Sequence, residues 1–254
     1  MDQITHNFDI VTLVGPNDKN IITKQITYTK KNIIGYRNIY LICYDPTIKI
    51  DGCITINENI FPFNKETVAN YHGKSNRNGW YLQQLLKLYA GKIIPDILNK
   101  YLVIDCDTFF LKKTTFIQDG KCLYCPEKKD SCHKPYFSHM LKLDKNFIKA
   151  SNMSGISHHM IFEKKYIDEI ILIVENNHND KFYNIFLKQV DSKDFLRSGA
   201  SEYEIYFNYM LKNYFDMIQI RKLNYDEPIW YNINKINVNN DCYDYICLHH
   251  YKKR

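Results

Sequence analysis

The chain has 254 residues, 45% of them hydrophobic, and a formal net charge of +6 from 34 Lys and Arg against 28 Asp and Glu. That apolar content excludes an intrinsically disordered chain and suffices for one sizeable core, so a single domain over residues 1–254 is expected. The cations are scattered among the anions, which argues against a nucleic-acid footprint, and no apolar run reaches the length of an integral membrane segment. Eight cysteines are present, but Met1-Asp2-Gln3-Ile4-Thr5-His6 lacks a basic region followed by an apolar signal segment. Thiols in a reducing, cytoplasmic setting are expected.

Along the chain, residues 9–14 read as an apolar strand that stops at the turn Gly15-Pro16-Asn17-Asp18. Residues 20–33 suit a helix, and 38–43 a second strand closed by Asp45-Pro46, which together make a βαβ unit with a parallel pair. Gly73 to Gly79 is a polar, basic, glycine-flanked loop. Residues 80–90 then place apolar side chains at helical spacing up to Gly91. A short strand is expected over 155–162, a helix over 165–174, and a further helix opening at Ser201-Glu202-Tyr203-Glu204 and running to about 214.

Tyr101-Leu102-Val103-Ile104-Asp105-Cys106-Asp107-Thr108-Phe109-Phe110 is the segment richest in chemistry. An apolar run of this kind reads as a buried strand, and its carboxylates emerge where the strand leaves the core, the edge at which open α/β sheets place ligands. Two closely spaced hard oxygen ligands there suit a divalent cation bridging to phosphate. The plainer alternative is that Asp-x-Asp caps the following turn through side-chain hydrogen bonds.

Gly79-Trp80-Tyr81-Leu82-Gln83-Gln84, Val103-Ile104-Asp105-Cys106-Asp107-Thr108, Ile156-Ser157-His158-His159-Met160 and Ser201-Glu202-Tyr203-Glu204, in that order, resemble a group of GT-A-like nucleotide-sugar glycosyltransferases found among bacterial surface-polysaccharide enzymes and large DNA viruses. The resemblance spans roughly residues 8–210. It implies an α/β fold with a mixed, mainly parallel Rossmann-type sheet flanked by helices, and a cytoplasmic enzyme, in the host cytoplasm if viral. It further implies Mn²⁺ or Mg²⁺ held by Asp105 and Asp107 against the diphosphate of a sugar donor, most plausibly a UDP-sugar, with a glycan or glycoprotein acceptor. A cation there stabilises the charge growing on the leaving phosphate. Such enzymes often add a C-terminal His to the metal, and His249 or His250 stands in a suitable region; solvated surface is the alternative for both.

Transfer with inversion needs a base, for which Glu202 and Glu204 are candidates. Ser201 and Glu204 fit a capping box, which leaves Glu202 for the chemistry or, more plainly, as a first-turn acid favoured by the helix dipole. His158 and His159 would point to opposite faces of a strand, so one at most faces the cleft; His158 is taken as the acceptor-side candidate. On the donor side the resemblance points to Val14, Gly15 and Asp18 for the nucleoside. Lys74 and Arg77 are candidates for the diphosphate, and Gln84 and Trp80 lie on the helix that follows, Trp80 as core or as sugar platform.

Haloacid-dehalogenase phosphatases also end a strand in Asp-x-Asp, with Asp105 then the nucleophile. Their Thr or Val two residues on is Phe109 here. A catalytically inactive sugar-binding module is a third reading, and a zinc site at Cys122, Cys125 and Cys132 could accompany any of them.

Overall fold

A computed structural model describes residues 7–128, 134–228 and 242–248. β1 (Phe8–Val14) is buried along its whole length, as a continuous apolar run is when both faces of a parallel sheet are covered. The chain turns at residues 15–18, where the Asp18 amide donates to the Gly15 carbonyl at 3.0 Å and the Gly15 amide to Asp18 Oδ2 at 2.9 Å. It then enters α1 (Ile22–Asn32). After β2 (Ile33–Ile34), β3 (Tyr36–Cys43) lies parallel to β1 with Ile10 opposite Ile39, so the expected βαβ unit is present. β4 (Ile54–Asn57) extends the sheet beyond β3.

α2 (Lys65–His72) starts at a capping box between Asn64 and Thr67. α3 (Asn78–Ile93) begins inside the glycine-flanked loop and runs past Gly91, where the spacing had suggested a stop. Packing explains the difference. A Cβ on Gly91 would lie 2.6 Å from the Tyr101 ring and 2.8 Å from the Lys164 side chain, so the glycine lets helix and strand approach and does not end the helix.

β5 (Lys100–Ile104) pairs parallel with β1 on the side away from β3. The short strands β6 (Thr108–Phe110), β7 (Thr114–Thr115), β8 (Ile117–Gln118), β9 (Lys121–Tyr124) and β10 (Glu127–Lys128) follow, then α4 (Lys134–Leu143) and β11 (Met153–Ser154). β12 (His159–Glu163) is shorter than the sequence suggested and pairs antiparallel with β5, His159 opposite Ile104. The helices α5 (Lys164–His178), α6 (Phe182–Lys188) and α7 (Glu202–Asn213) lead to β13 (Ile218–Ile220), β14 (Tyr225–Asp226) and β15 (Tyr245–Cys247). The central sheet thus runs β12-β5-β1-β3-β4, parallel but for the β12 edge. β15 joins β6 antiparallel just beyond the end of β5. Among the described residues no helix is long and apolar enough to cross a membrane.

The N-terminal rim of the sheet is tied by Asp9, whose side chain is fully buried. Its oxygens accept from Arg37 Nε (3.1 Å) and Nη2 (2.7 Å) and from the amides of Asn38 (3.0 Å) and Leu98 (2.8 Å). One carboxylate therefore fixes the starts of β1 and β3 and the approach to β5, which in turn sets where their opposite ends emerge.

Four described histidines are buried away from that rim, His72, His139, His158 and His159. His139 Nε2 lies 2.8 Å from the Phe186 carbonyl oxygen, joining α4 to α6, and its pKa is lowered to about 4, chiefly by burial. Burial also holds His159 well below the ordinary imidazole value. The folded protein therefore keeps the His139 and His159 rings neutral where the unfolded chain, titrating near 6.5, takes up protons. Stability to urea is expected to fall as pH drops from about 6.5 toward 4, and His139→Gln is expected to flatten part of that slope. An unchanged slope in the folded variant would assign the pH dependence to other groups.

Candidate active site

β5 ends at Ile104, and Asp105 is the next residue. The Asp105 amide donates to the His158 carbonyl at 2.9 Å and the Thr108 amide to the Asp105 carbonyl at 3.0 Å, closing a tight turn over 105–108. The turn is closed by backbone, so the aspartates are not needed as its caps. Their carboxylates go elsewhere.

Lys87, on α3, lies 2.7 Å from Asp105 Oδ1 and 2.8 Å from Glu202 Oε1, with its Nζ 4.4 Å from the Tyr203 ring centroid. The Tyr203 hydroxyl donates to the same Asp105 oxygen at 3.2 Å. The Lys87 and Glu202 side chains are 4% and 5% exposed, whereas Asp105 keeps 27%, so the carboxylate of Asp105 is where this buried cluster meets solvent. Burial alone would lower the Lys87 pKa; Asp105 and Glu202 beside it carry it well above the usual lysine value. Burial and then Asp105 push the Tyr203 phenol up, which keeps its proton for the bond to Asp105.

Asp107 sits two residues on, and the Cys247 thiol donates to its Oδ1 at 3.3 Å while the Leu248 amide donates to its carbonyl at 2.8 Å. Burial, reinforced by Asp107 and then Asp105, raises the Cys247 thiol well above its usual range; burial, followed by Asp18, Asp107 and Asp105, does the same for Cys106. Both thiols therefore remain protonated. β1 runs parallel to β5 with Val11 opposite Val103, so the loop after β1 leaves the same edge of the sheet as the two aspartates.

The chemistry of this donor set suits a hard divalent cation. Lys87 and Tyr203 both reach Asp105 at Oδ1. Mg²⁺ and Mn²⁺ are commonly held by one or two carboxylates together with substrate phosphates, which is what Asp105 and Asp107 could offer. Among the described residues no group of three or more His, Cys, Asp or Glu is arranged to hold a metal without such help. His249 and His250 lie outside the described residues, as does Cys132. Of the other cysteines considered for zinc, Cys122 donates to Glu163 Oε1 at 3.5 Å and Cys125 accepts from Arg221 Nε at 3.3 Å, so the two thiols are engaged with different partners.

The remaining candidates are placed as follows. Glu202, which the sequence left without a structural partner, has one in Lys87. Ser201 accepts from the Glu204 amide at 3.2 Å as expected of an N-cap, but the Glu204 carboxylate does not complete the capping box. It turns to Ser154 Oγ (2.5 Å), the Gly155 amide (3.0 Å) and Asn208 Nδ2 (2.9 Å), because at full burial it needs all of its lone pairs satisfied. His158 is buried with Nε2 3.6 Å from Glu227 Oε1 and Nδ1 3.4 Å from the Tyr245 hydroxyl, while His159 packs against Phe110 and Phe116. Val14 ends β1, and Gly15 opens the turn that follows. Arg77 stacks on Trp80 at 3.9 Å and donates to the Arg197 carbonyl (3.0 Å) and Ser198 Oγ (2.6 Å), which ties the α3 start to the loop before α7. Lys74 is exposed, and no described contact joins it to the aspartates. Gln84 is buried one turn before Lys87; its Nε2 donates to the Trp80 carbonyl at 3.4 Å, and its Oε1 has no hydrogen-bond partner among the described residues.

Lys87, Tyr203 and Cys247 escaped the sequence reading. The one legible signal was a lysine inside Leu85-Leu86-Lys87-Leu88, the middle of an otherwise apolar helical run. Removing the Glu204 carboxylate should strand the Gly155 amide and Ser154 hydroxyl: Glu204→Ala is expected to lose about 3 kcal/mol of stability in urea unfolding, and Glu204→Gln clearly less. Equal losses would mean that side-chain volume, not hydrogen bonding, is what the position supplies.

The structure is similar to that of mouse xyloside xylosyltransferase 1 in its apo form, at 9% identity over 97% of this chain and 99% of that one, with a TM-score of 0.50. It is also similar to an active-site mutant of LgtC, at 12% identity over 94% and 86% of the two chains, again with a TM-score of 0.50. At such identities the likeness speaks for the fold, which is of the GT-A type found in these sugar transferases. No curated protein matches the chain by sequence. The signature of a family of unknown function, DUF6492, matches residues 46–242.

Proposed function

The chain belongs to the DUF6492 family, whose activity its description leaves open, and from that premise we propose that it is a metal-dependent glycosyltransferase. It would move a sugar from a nucleotide-sugar donor, a UDP-sugar, to a glycan or glycoprotein acceptor. The observation that carries this reading is the Lys87–Asp105–Glu202 cluster, next to Asp107 and at the C-terminal edge of a mainly parallel sheet. The GT-A-type fold supports the same class.

In this reading Asp105 and Asp107 would hold Mn²⁺ or Mg²⁺ together with the donor diphosphate. The cation supplies charge stabilisation for the departing nucleotide. Val14, Gly15 and Asp18 border the nucleoside, and Gln84 Oε1 offers a buried acceptor to a donor hydroxyl. Lys87 neutralises Glu202 through Oε1, and Glu202 Oε2 takes the proton from the acceptor hydroxyl in an inverting transfer. His158, held between Glu227 and Tyr245, stands on the acceptor side. The phosphatase reading would need Asp105 as attacking nucleophile and fits this fold poorly.

Thermal unfolding with a panel of nucleotides and nucleotide sugars, each with Mn²⁺, Mg²⁺ or EDTA, tests the assignment directly, since a ligand that binds only the folded state raises its melting temperature. A cation-dependent rise with uridine compounds is expected; no rise with any compound would overturn it. Asp107→Ala is expected to fold and lose turnover by at least about a hundredfold. Glu202→Gln is expected to lose turnover by a similar factor with donor affinity nearly kept, and parallel losses in both would make Glu202 a donor-binding residue.

A further inference from the structure

Resting on the glycosyl-transfer reading, we propose that Lys87 is a positioning residue that makes cation capture at Asp105 depend on the diphosphate of the donor. Its ammonium lies 2.7 Å from Asp105 Oδ1, with only 4% of the side chain exposed. A divalent cation on the same carboxylate stands a few ångströms from that fixed positive charge, where little water intervenes to screen the repulsion. Lys87 cannot swing away at low cost, because its second bond, 2.8 Å to Glu202 Oε1, and the Tyr203 ring hold it in place. A diphosphate reverses the balance. It brings negative charge that both the cation and the ammonium attract, so cation and nucleotide each strengthen the binding of the other by the same factor. Free metal is thus held weakly and the metal–nucleotide pair firmly.

Mn²⁺ binding can be followed by the electron paramagnetic resonance signal of the free aqueous ion, with and without UDP, in the full chain. Lys87→Met is expected to bind Mn²⁺ alone at least about tenfold more tightly than the natural protein and to show a smaller enhancement by UDP, the direct cation–diphosphate part being kept. Glu202→Gln, which leaves Lys87 with Asp105 as its one remaining carboxylate partner, is expected to bind Mn²⁺ alone several-fold more weakly, and it decides the matter if Lys87→Met fails to fold. A purely structural lysine would lower stability in Lys87→Met while leaving Mn²⁺ affinity and the UDP enhancement unchanged in both variants; that result overturns the proposal. Mn²⁺ binding without any UDP enhancement in the natural protein would overturn it too while leaving the cation site standing. No Mn²⁺ uptake even with UDP would instead remove the cation from the functional reading, and this proposal with it.

Discussion

A lysine ammonium with 4% of its side chain exposed has lost nearly all of its water, and the structure around residue 87 is organised by the need to replace it. Two carboxylates do so from different directions. Asp105 arrives at the end of β5 and Glu202 in the first turn of α7, so the ion pairs hold a helix, a strand end and a second helix to one point. Such a cluster need not stabilise the fold relative to an apolar filling, but removing one member leaves the others buried and uncompensated. It is therefore a poor choice for stability alone and a good one for fixing a carboxylate at the edge of the sheet.

The same device recurs elsewhere in the fold. Asp9 gathers Arg37 and two amides at the opposite rim of the sheet, and Glu204 gathers Ser154, Gly155 and Asn208 where the segment before β12 meets α7. Gly155 shows how close that last contact is: a Cβ there would lie 2.7 Å from Phe207 Cβ and 2.8 Å from the Tyr203 carbonyl oxygen. Buried carboxylates thus replace the backbone pairing that loops lack. Asp105, at 27% exposure, is the member of the Lys87 cluster that reaches solvent.

Much of this was readable in the chain. Apolar segments at 9–14 and 101–104 read as strands, the turn Gly15-Pro16-Asn17-Asp18 marked the end of the first, and the helix between 9–14 and 38–43 implied the parallel pairing of those two. Ser201 was legible as an N-cap because its short polar side chain stands just before a helical apolar pattern. Errors came where a local signal has two uses. Gly91 reads as a helix stop but serves helix-to-strand contact, and Glu204 reads as half of a capping box but is drawn to a loop 49 or 50 positions away.

The sequence by itself determined the opening β1–α1–β3 unit, helices α3, α5 and α7 and the placing of Asp105 and Asp107 after a buried strand, since these depend on short-range periodicity and turn chemistry. Tertiary structure alone decided what those carboxylates face. Lys87 meets Glu202 across 115 positions, Tyr203 meets Asp105 across 98, and Cys247 meets Asp107 across 140. No local pattern encodes such pairs, because a buried charge selects its partner by where the folded chain brings a counter-charge within about 3 Å, not by spacing along the sequence.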